Sequence, residues 1–316
     1  MYSLIIPIYK NEANLDRLLH EMIKLKAGIP GEFEVVFVID GSPDRSQEIL
    51  QTRLPGLPLR TRLVSLTRNF GSFSAITAGL EAGKGDWFSV MAADLQEPPE
   101  LILRFHEILS SGRAEIVFGV RNARSDPWPS KLASTAFWGI YRRIVIRDMP
   151  QGGVDVFGCS RQIRDQILRF QEVDTNLIAL LLWIGYRREY VPYDRHPRLE
   201  GKSAWTLRKK LRYGVNSIFN FTDLPVQILL YAGTVALLFA VGATLLVLVA
   251  RVRGSITVPG YTPIVLAIMF FGALTSLGLG VIGQYLWLTL QNTRRRPNFL
   301  VHFSEEHGPG SEANTK

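Results

Sequence analysis

Residues 86–100 read DWFSVMAADLQEPPE: an apolar run stops on Asp94, turns through Leu-Gln-Glu, and opens a helical stretch with two prolines. Proline is tolerated in the first turn of a helix and excluded from the middle of a sheet, so the order here is strand, turn, helix. The same grammar recurs along the chain. Strands are predicted at SLIIPIY (3–9), EVVFVID (34–40), RLVSL (62–66), DWFSVMAADL (86–95) and EIVFGV (115–120). Helical stretches fall around residues 11–26, 45–54, 72–83 and 98–112. Alternating β and α predicts an α/β fold of Rossmann-like type, an open and mainly parallel sheet with its ligand crevice at the carboxyl ends of the strands.

The chain has 316 residues, 47% of them hydrophobic, with a net charge of +8 and a single cysteine, enough for one or two domains with a proper core. Cys159 alone can form neither an internal disulfide nor a multi-cysteine metal site, and it reads as a buried small hydrophobe in a reducing compartment. No signal-peptide pattern precedes the first predicted strand. Residues 226–250 and 262–290 contain no charged residue, and each exceeds the roughly 20 residues that span a bilayer. They are expected to form two transmembrane helices joined by the short RVRGSITVPGY loop. The loop offers Arg251 and Arg253, whereas the flanks carry Arg208, Lys209, Lys210 and Arg212 before the hairpin and Arg294, Arg295 and Arg296 after it. By the positive-inside rule the N-terminal domain and the tail are cytoplasmic, on a multi-pass protein of the inner cell membrane.

Each predicted strand ends in a polar cluster: PIYKNE, DGSPD, RNFG, ADLQEPPE and VRNAR. Singly these are ordinary turn chemistry, but five on one rim make a site. Residues 187–212 hold nine basic and three acidic residues, most of the chain's net charge, and are expected to face anionic membrane lipids; nucleic acid is not an expected partner of a segment that adjoins a hairpin. Within WTLRKKLRYGVNSIFNF, Leu207, Leu211, Val215, Ile218 and Phe219 share one helical face and the basic residues lie off it, the pattern of a helix in the headgroup layer. SKLASTAFWGIYRRIVI (130–146) reads equally as a second such helix or as packing on the sheet edge. LIALLLWIGYRR reads as a core helix.

IPIYKNEANL, VIDGSPDRS, RNFGSFSAITAGL, ADLQEPPE, GGVDVFGCSR and RLEGKSAW, followed by two apolar spans, resemble a family-2 inverting glycosyltransferase. Within that family the chain is similar to the polyprenyl-phosphate glycosyltransferases, relatives of dolichol-phosphate mannose synthase. The resemblance implies a GT-A catalytic domain over residues 1–204, an amphipathic juxtamembrane segment over 205–224, the membrane hairpin over 225–291, and a basic then flexible tail over 292–316. It implies transfer of a sugar from a nucleotide diphosphate sugar, UDP-glucose by the family's commonest use, to a polyprenyl phosphate on the cytoplasmic leaflet. A flippase and a periplasmic transferase would then act on the product; oligomeric state is left open, a homo-oligomer included.

Carried over residue by residue, Pro7, Tyr9 and Glu12 match the first nucleotide-binding loop, Asp40 the second, and Asn69 and Gly71 the loop at base and ribose. Asp94 and Gln96 match the positions for a Mg²⁺ or Mn²⁺ ion and the diphosphate. Asp155 matches the acidic residue proposed as base, and Arg198 and Ser203 the acceptor-side motif, with Arg195 and Lys202 nearby. Three departures each remove a charge from the family pattern: Ile39, Ala92 and Ala204. With Ala92 in place of a first Asp, weak metal binding is expected until the donor diphosphate supplies ligands, since Mg²⁺ commonly takes only one or two protein carboxylates. A lipid phosphate attacks already ionised, so Asp155 is expected to orient substrate more than to remove a proton. On this reading residues 1–225 suffice for donor binding. Two alternatives stay open: a nucleotide-sugar-binding membrane protein that has lost catalysis, and a polysaccharide synthase, for which the sequence offers only QILRF at residues 166–170.

Overall fold

The computed structural model describes residues 1–122, 150, 154–170, 176–196, 260–293 and 296–309, with scattered positions between 226 and 253. They fall into two compact units, Met1–Lys210 with Pro297–Lys316, and Leu211–Arg296.

The first unit opens with β1 (Tyr2–Ile8), α1 (Leu15–Gly28), β2 (Phe33–Ile39), α2 (Ser46–Arg53), β3 (Arg60–Leu66), α3 (Ser72–Ala82), β4 (Trp87–Val90) and α4 (Glu100–Ser110). These elements lie where the alternation of the sequence put them. β2 is buried along its whole length, as a central parallel strand covered by helices on both faces must be. In α1, Leu15, Leu18, Leu19, Met22 and Leu25 are the buried residues, the 3–4 spacing of one helical face. Pro98 and Pro99 do open a helix, their carbonyls accepting the first helical N–H groups, those of Leu101 and Ile102.

Among the described residues five further elements follow in this unit: β5 (Ile116–Arg121), β6 (Val154–Ser160), α5 (Arg161–Ile167), α6 (Leu177–Trp183) and β7 (Arg188–Tyr193). The core reading of α6 holds, since Leu177 to Leu182 are all buried. So does that of Cys159, which is fully buried and whose thiol is pushed up to about 12 by desolvation.

The second unit contains α7 (Tyr261–Thr293), 33 residues long and coincident with the second apolar span. Among the described residues no helix is long and apolar enough to cross a membrane. Several side chains of α7 lie outside that set, as do the juxtamembrane segment 205–224 and the stretch 130–146.

After α7 the chain re-enters the first unit as β8 (Val301–His307), which pairs antiparallel with β3. The tail was expected to be flexible. Residues 301–307 form a strand instead, because β3 offers an unpaired edge and because Glu306 meets three cations, Arg60 at 2.7 Å, Arg62 at 2.6 Å and Lys84 at 2.9 Å.

The eight-stranded sheet runs β7-β5-β6-β4-β1-β2-β3-β8. β4, β1, β2 and β3 are mutually parallel, while β6 runs antiparallel between β4 and β5. The chain moves outward from β1 through β2 and β3 and then returns to the other flank of β1 as β4. That reversal makes the carboxyl ends of β1 and β4 the topological switch point, where open α/β sheets place their ligands.

Candidate active site

The loops at the carboxyl ends of β1, β2 and β3 are tied to one another in sequence. The Lys10 N–H donates to Ser42 Oγ at 2.8 Å and the Glu12 N–H to Asp44 Oδ2 at 3.1 Å. In return the Arg45 N–H donates to Glu12 Oε2 at 2.9 Å. Asp44 also accepts from Ser42 Oγ and from the Ser46 N–H. Partial burial opposes ionisation of Asp44, but these hydrogen bonds outweigh it and hold the carboxyl below its usual value.

Asp40 carries the tie onward. Almost fully buried, it accepts from the Phe70 N–H at 2.7 Å through one oxygen and from the Gly71 N–H at 2.9 Å through the other. Desolvation raises its pKa, against the pull of those two N–H groups and of Arg68. Gly41, at φ 55°, lets the β2 loop lie against this segment: a Cβ there would stand 2.3 Å from the Arg68 carbonyl carbon. Gly71 also needs its positive φ, 98°, to turn the chain into α3. The resulting shelf leaves Tyr9 and Asn69 exposed and Pro7 half-buried at the end of β1. Arg68 covers the Phe70 ring at 3.9 Å.

Sequence reasoning placed Glu12 and Asp40 on the nucleotide. The structure places them between loops, where they fix the shape of the shelf. Ser42 and Asp44 do the same work and were missed, although Asp44 belongs to the DGSPD stretch and the Asx geometry of such turns was its signal.

Across the switch point, Asp94 is half-buried just beyond β4. The next residue, Leu95, has its side chain in the core and its backbone in the left-handed region at φ 52°. Lys10, in the β1 loop, is the other such non-glycine residue among those described, at φ 56°. Each conformation costs on the order of 1–3 kcal/mol, and such strain gathers at functional sites. Both instances fall on this rim.

Gln96 is buried, accepting from Arg195 Nη2 at 2.5 Å and donating from Nε2 to the His196 carbonyl at 3.3 Å. A second bond joins the same loops, from the His196 N–H to the Gln96 carbonyl at 2.8 Å. Gln96 therefore ties the segment after β7 to the Asp94 loop. Arg195, expected on the acceptor with Arg198, is held against the Asp94 loop instead. Arg187, counted with the membrane-facing cations, is paired with Glu115 on the sheet edge.

For Asp155 the backbone alone is described. β4 pairs Ser89 with Gly158, so the start of β6 lies beside the end of β4. Between Gly119↔Val156 and Val120↔Val154 the register shifts, which leaves Asp155 as the extra residue of a β-bulge at the rim. Bulges are over-represented beside active sites, where they re-aim a side chain. Arg198 and Ser203, with Lys202 and Ala204, lie outside the described residues.

Among the described residues there is no cluster of three or more His, Cys, Asp or Glu able to hold a metal. Asp94 fits one as a single hard oxygen ligand that a substrate diphosphate would complete; Gln96, already engaged on both sides, does not.

The rim at the switch point, with Asp94 on a strained turn beside a shelf of stapled loops, is the candidate site of an enzyme: the chain belongs to Glycosyl transferase family 2, whose model matches residues 3–170. It is 30% identical over 302 residues to the undecaprenyl-phosphate 4-deoxy-4-formamido-L-arabinose transferase of Edwardsiella ictaluri, covering 95% of this chain and 92% of that one. It is 29% identical over 305 residues to the bactoprenol glucosyl transferase of Shigella phage SfX, covering 95% and 98%. Among solved structures it is similar to glucosyl-3-phosphoglycerate synthase from Mycobacterium tuberculosis in complex with Mn²⁺ and UDP. That match has a TM-score of 0.46 and 16% identity, and covers 69% of this chain and 77% of that one.

Proposed function

We propose that this glycosyltransferase moves a sugar, glucose from UDP-glucose in the first instance, onto a polyprenyl phosphate at the cytoplasmic face of a membrane, with inversion at the anomeric carbon. One observation carries the reading: Asp94, on a strained turn beside the stapled shelf, stands at the switch point where open α/β sheets place their ligands. The names of the two relatives supply the acceptor class, and one of them the sugar.

In the reaction an oxygen of the lipid phosphate attacks the anomeric carbon while the bond to the nucleotide diphosphate breaks and its electron pair goes to the leaving oxygen. The nucleophile has a second pKa of about 6 and needs little help from a base. The chain's own task is to hold the donor rigidly and to stabilise the charge that develops on the leaving group. The stapled loops serve the first need. Arg195, fixed by Gln96, serves the second; Asp94 would serve it by holding a divalent ion, whose Lewis acidity would offset the charge on the leaving diphosphate. Asp155 orients the acceptor or the sugar, and Arg198 and Ser203 receive the lipid phosphate.

The membrane hairpin is part of the proposal. The sequence of α7 has no charged residue over its 33 positions, and Ile264, Ile268, Leu279, Ile282 and Leu286 are all at least half exposed. Exposed apolar surface on that scale needs a partner, and a bilayer is one. The pairing of β8 with β3, on chain before and after the proposed hairpin, supports an even number of crossings.

The test is transfer by the purified full-length chain from radiolabelled UDP-glucose, and a panel of other nucleotide sugars, to undecaprenyl phosphate in vesicles. Label in the lipid extract is the expected outcome; no transfer from any donor would overturn the reading.

A further inference from the structure

The loop that closes the shelf, residues 68–71, has two supports. From the β2 side Asp40 holds the N–H groups of Phe70 and Gly71, and Gly41 packs against the main chain of Arg68 and Asn69. From the other side comes the tail. Leu66 pairs with Val301, and the Thr67 N–H donates to the Leu300 carbonyl at 3.0 Å, so the last residue before the loop is held by chain that lies more than 200 positions away. The register shifts at this point, between Ser65 and Leu66, so the tail bends where the loop departs.

β8 has little reason to be a strand on its own account, since VHFSEEH carries two adjacent acidic residues, Glu305 and Glu306, and glutamate is depleted in strands. Three things hold it in place. Phe303 packs on the hydrophobic core. Gln51 of α2 donates to Glu305 at 3.4 Å. Glu306 binds Arg60 and Arg62 of β3, and Lys84 beyond α3. Without the tail, β3 becomes the sheet edge and Thr67 loses its hydrogen-bond acceptor.

We propose that residues 297–307 are a positioning strap of the donor site, so that nucleotide-sugar binding requires chain that follows the apolar helices. This inference rests on the donor reading above for loop 68–71. It departs from the expectation that residues 1–225 suffice for donor binding, because truncation there removes β8. The consequence is a built-in order: a chain whose hairpin is not yet complete lacks the strap and has a loosened donor shelf.

The experiment uses the full-length protein in detergent and two readouts, hydrogen exchange at the Phe70 and Gly71 amides without ligand, and titration with UDP-glucose. Deletion of residues 297–316 and, separately, Glu306→Arg should each speed exchange at both amides and weaken UDP-glucose binding by about tenfold, as expected for loss of one or two supporting hydrogen bonds. Adding Arg62→Glu to Glu306→Arg should restore both readouts in part, since Arg60 and Lys84 still face position 306, and a peptide of residues 297–307 should restore the deletion by strand addition. Unchanged exchange at Phe70 and Gly71 with the strand displaced would overturn the strap. Should the deletion unfold the chain, the Glu306→Arg pair of variants decides by the same measure. If the wild-type chain binds no nucleotide sugar, the donor reading fails while the exchange data still judge the strap.

Discussion

On the β1–β2–β3 side of the rim the acidic side chains face inward to neighbouring loops: Glu12 holds Arg45, Asp44 holds Ser42 and the Glu12 N–H, and Asp40 holds Phe70 and Gly71. On the β4–β6 side the loops are held by an amide and an arginine, Gln96 with Arg195, while Asp94 stands on a strained turn and the backbone of Asp155 at a bulge. The first half uses its charges to be rigid before a ligand arrives. The second is the half in which the proposed function puts the chemistry, at Asp94. A motif that lists both sets as binding residues hides this difference, since a carboxylate that accepts two main-chain N–H groups contributes shape whether or not it touches the nucleotide.

The comparison breaks most sharply at Asp94. Asp94→Asn should lower turnover at least about 100-fold with a smaller change in the KM for donor, as expected of a group acting on leaving-group charge. Steady-state kinetics with vesicle-borne acceptor measure it. Full activity in that variant and in excess EDTA would assign the charge stabilisation to the chain's own cations, Arg195 first.

At Asp40 the opposite pattern is expected. Asp40→Ala leaves two N–H groups without acceptors, at about 1–3 kcal/mol, and should raise the donor KM roughly tenfold while turnover at saturation holds. Should turnover fall and KM stay, Asp40 belongs with the chemical half and the division of the rim is wrong.

The smallest effect belongs to the tail. Hydrogen bonding from Lys84, then from Arg60, pulls the Glu306 carboxyl from 4.5 down to about 2. A depressed carboxylate pKa stabilises the folded state above the unfolded value and ceases to do so as pH falls through the folded one. Glu306→Gln should therefore be less stable than wild type at neutral pH, by at most about 1 kcal/mol for so solvent-accessible a pair. The gap should close between pH 4.5 and about 2. Thermal melts across that range give the answer, and a gap that persists to the acid end would remove Glu306 from the account of β8.

Much of the catalytic unit was legible because central parallel strands must be apolar on both faces and their helices must show one apolar stripe; β1 to β5 and α1 to α4 follow from that alone. The later strands follow from other causes. β6 contains Gly158, whose Cβ would meet Ser89 Oγ at 2.7 Å, so its sequence was shaped by a close neighbour and not by strand propensity. β7 carries Pro192 and sits at one edge; β8 is charged and sits at the other. Edge strands are half solvated and lack the apolar signature.

What the sequence determined by itself was the α/β order, the rim of polar loops, the family and the residue types at the site, because these depend on local pattern. What only the tertiary structure decided was which partner each side chain takes. That Glu12 reaches the Arg45 N–H, that Gln96 meets Arg195, and that residues 301–307 complete a sheet all depend on groups brought together from distant parts of the chain. Local periodicity carries no record of those meetings, since a hydrogen bond is selected by distance and direction in the folded molecule and not by position along the chain.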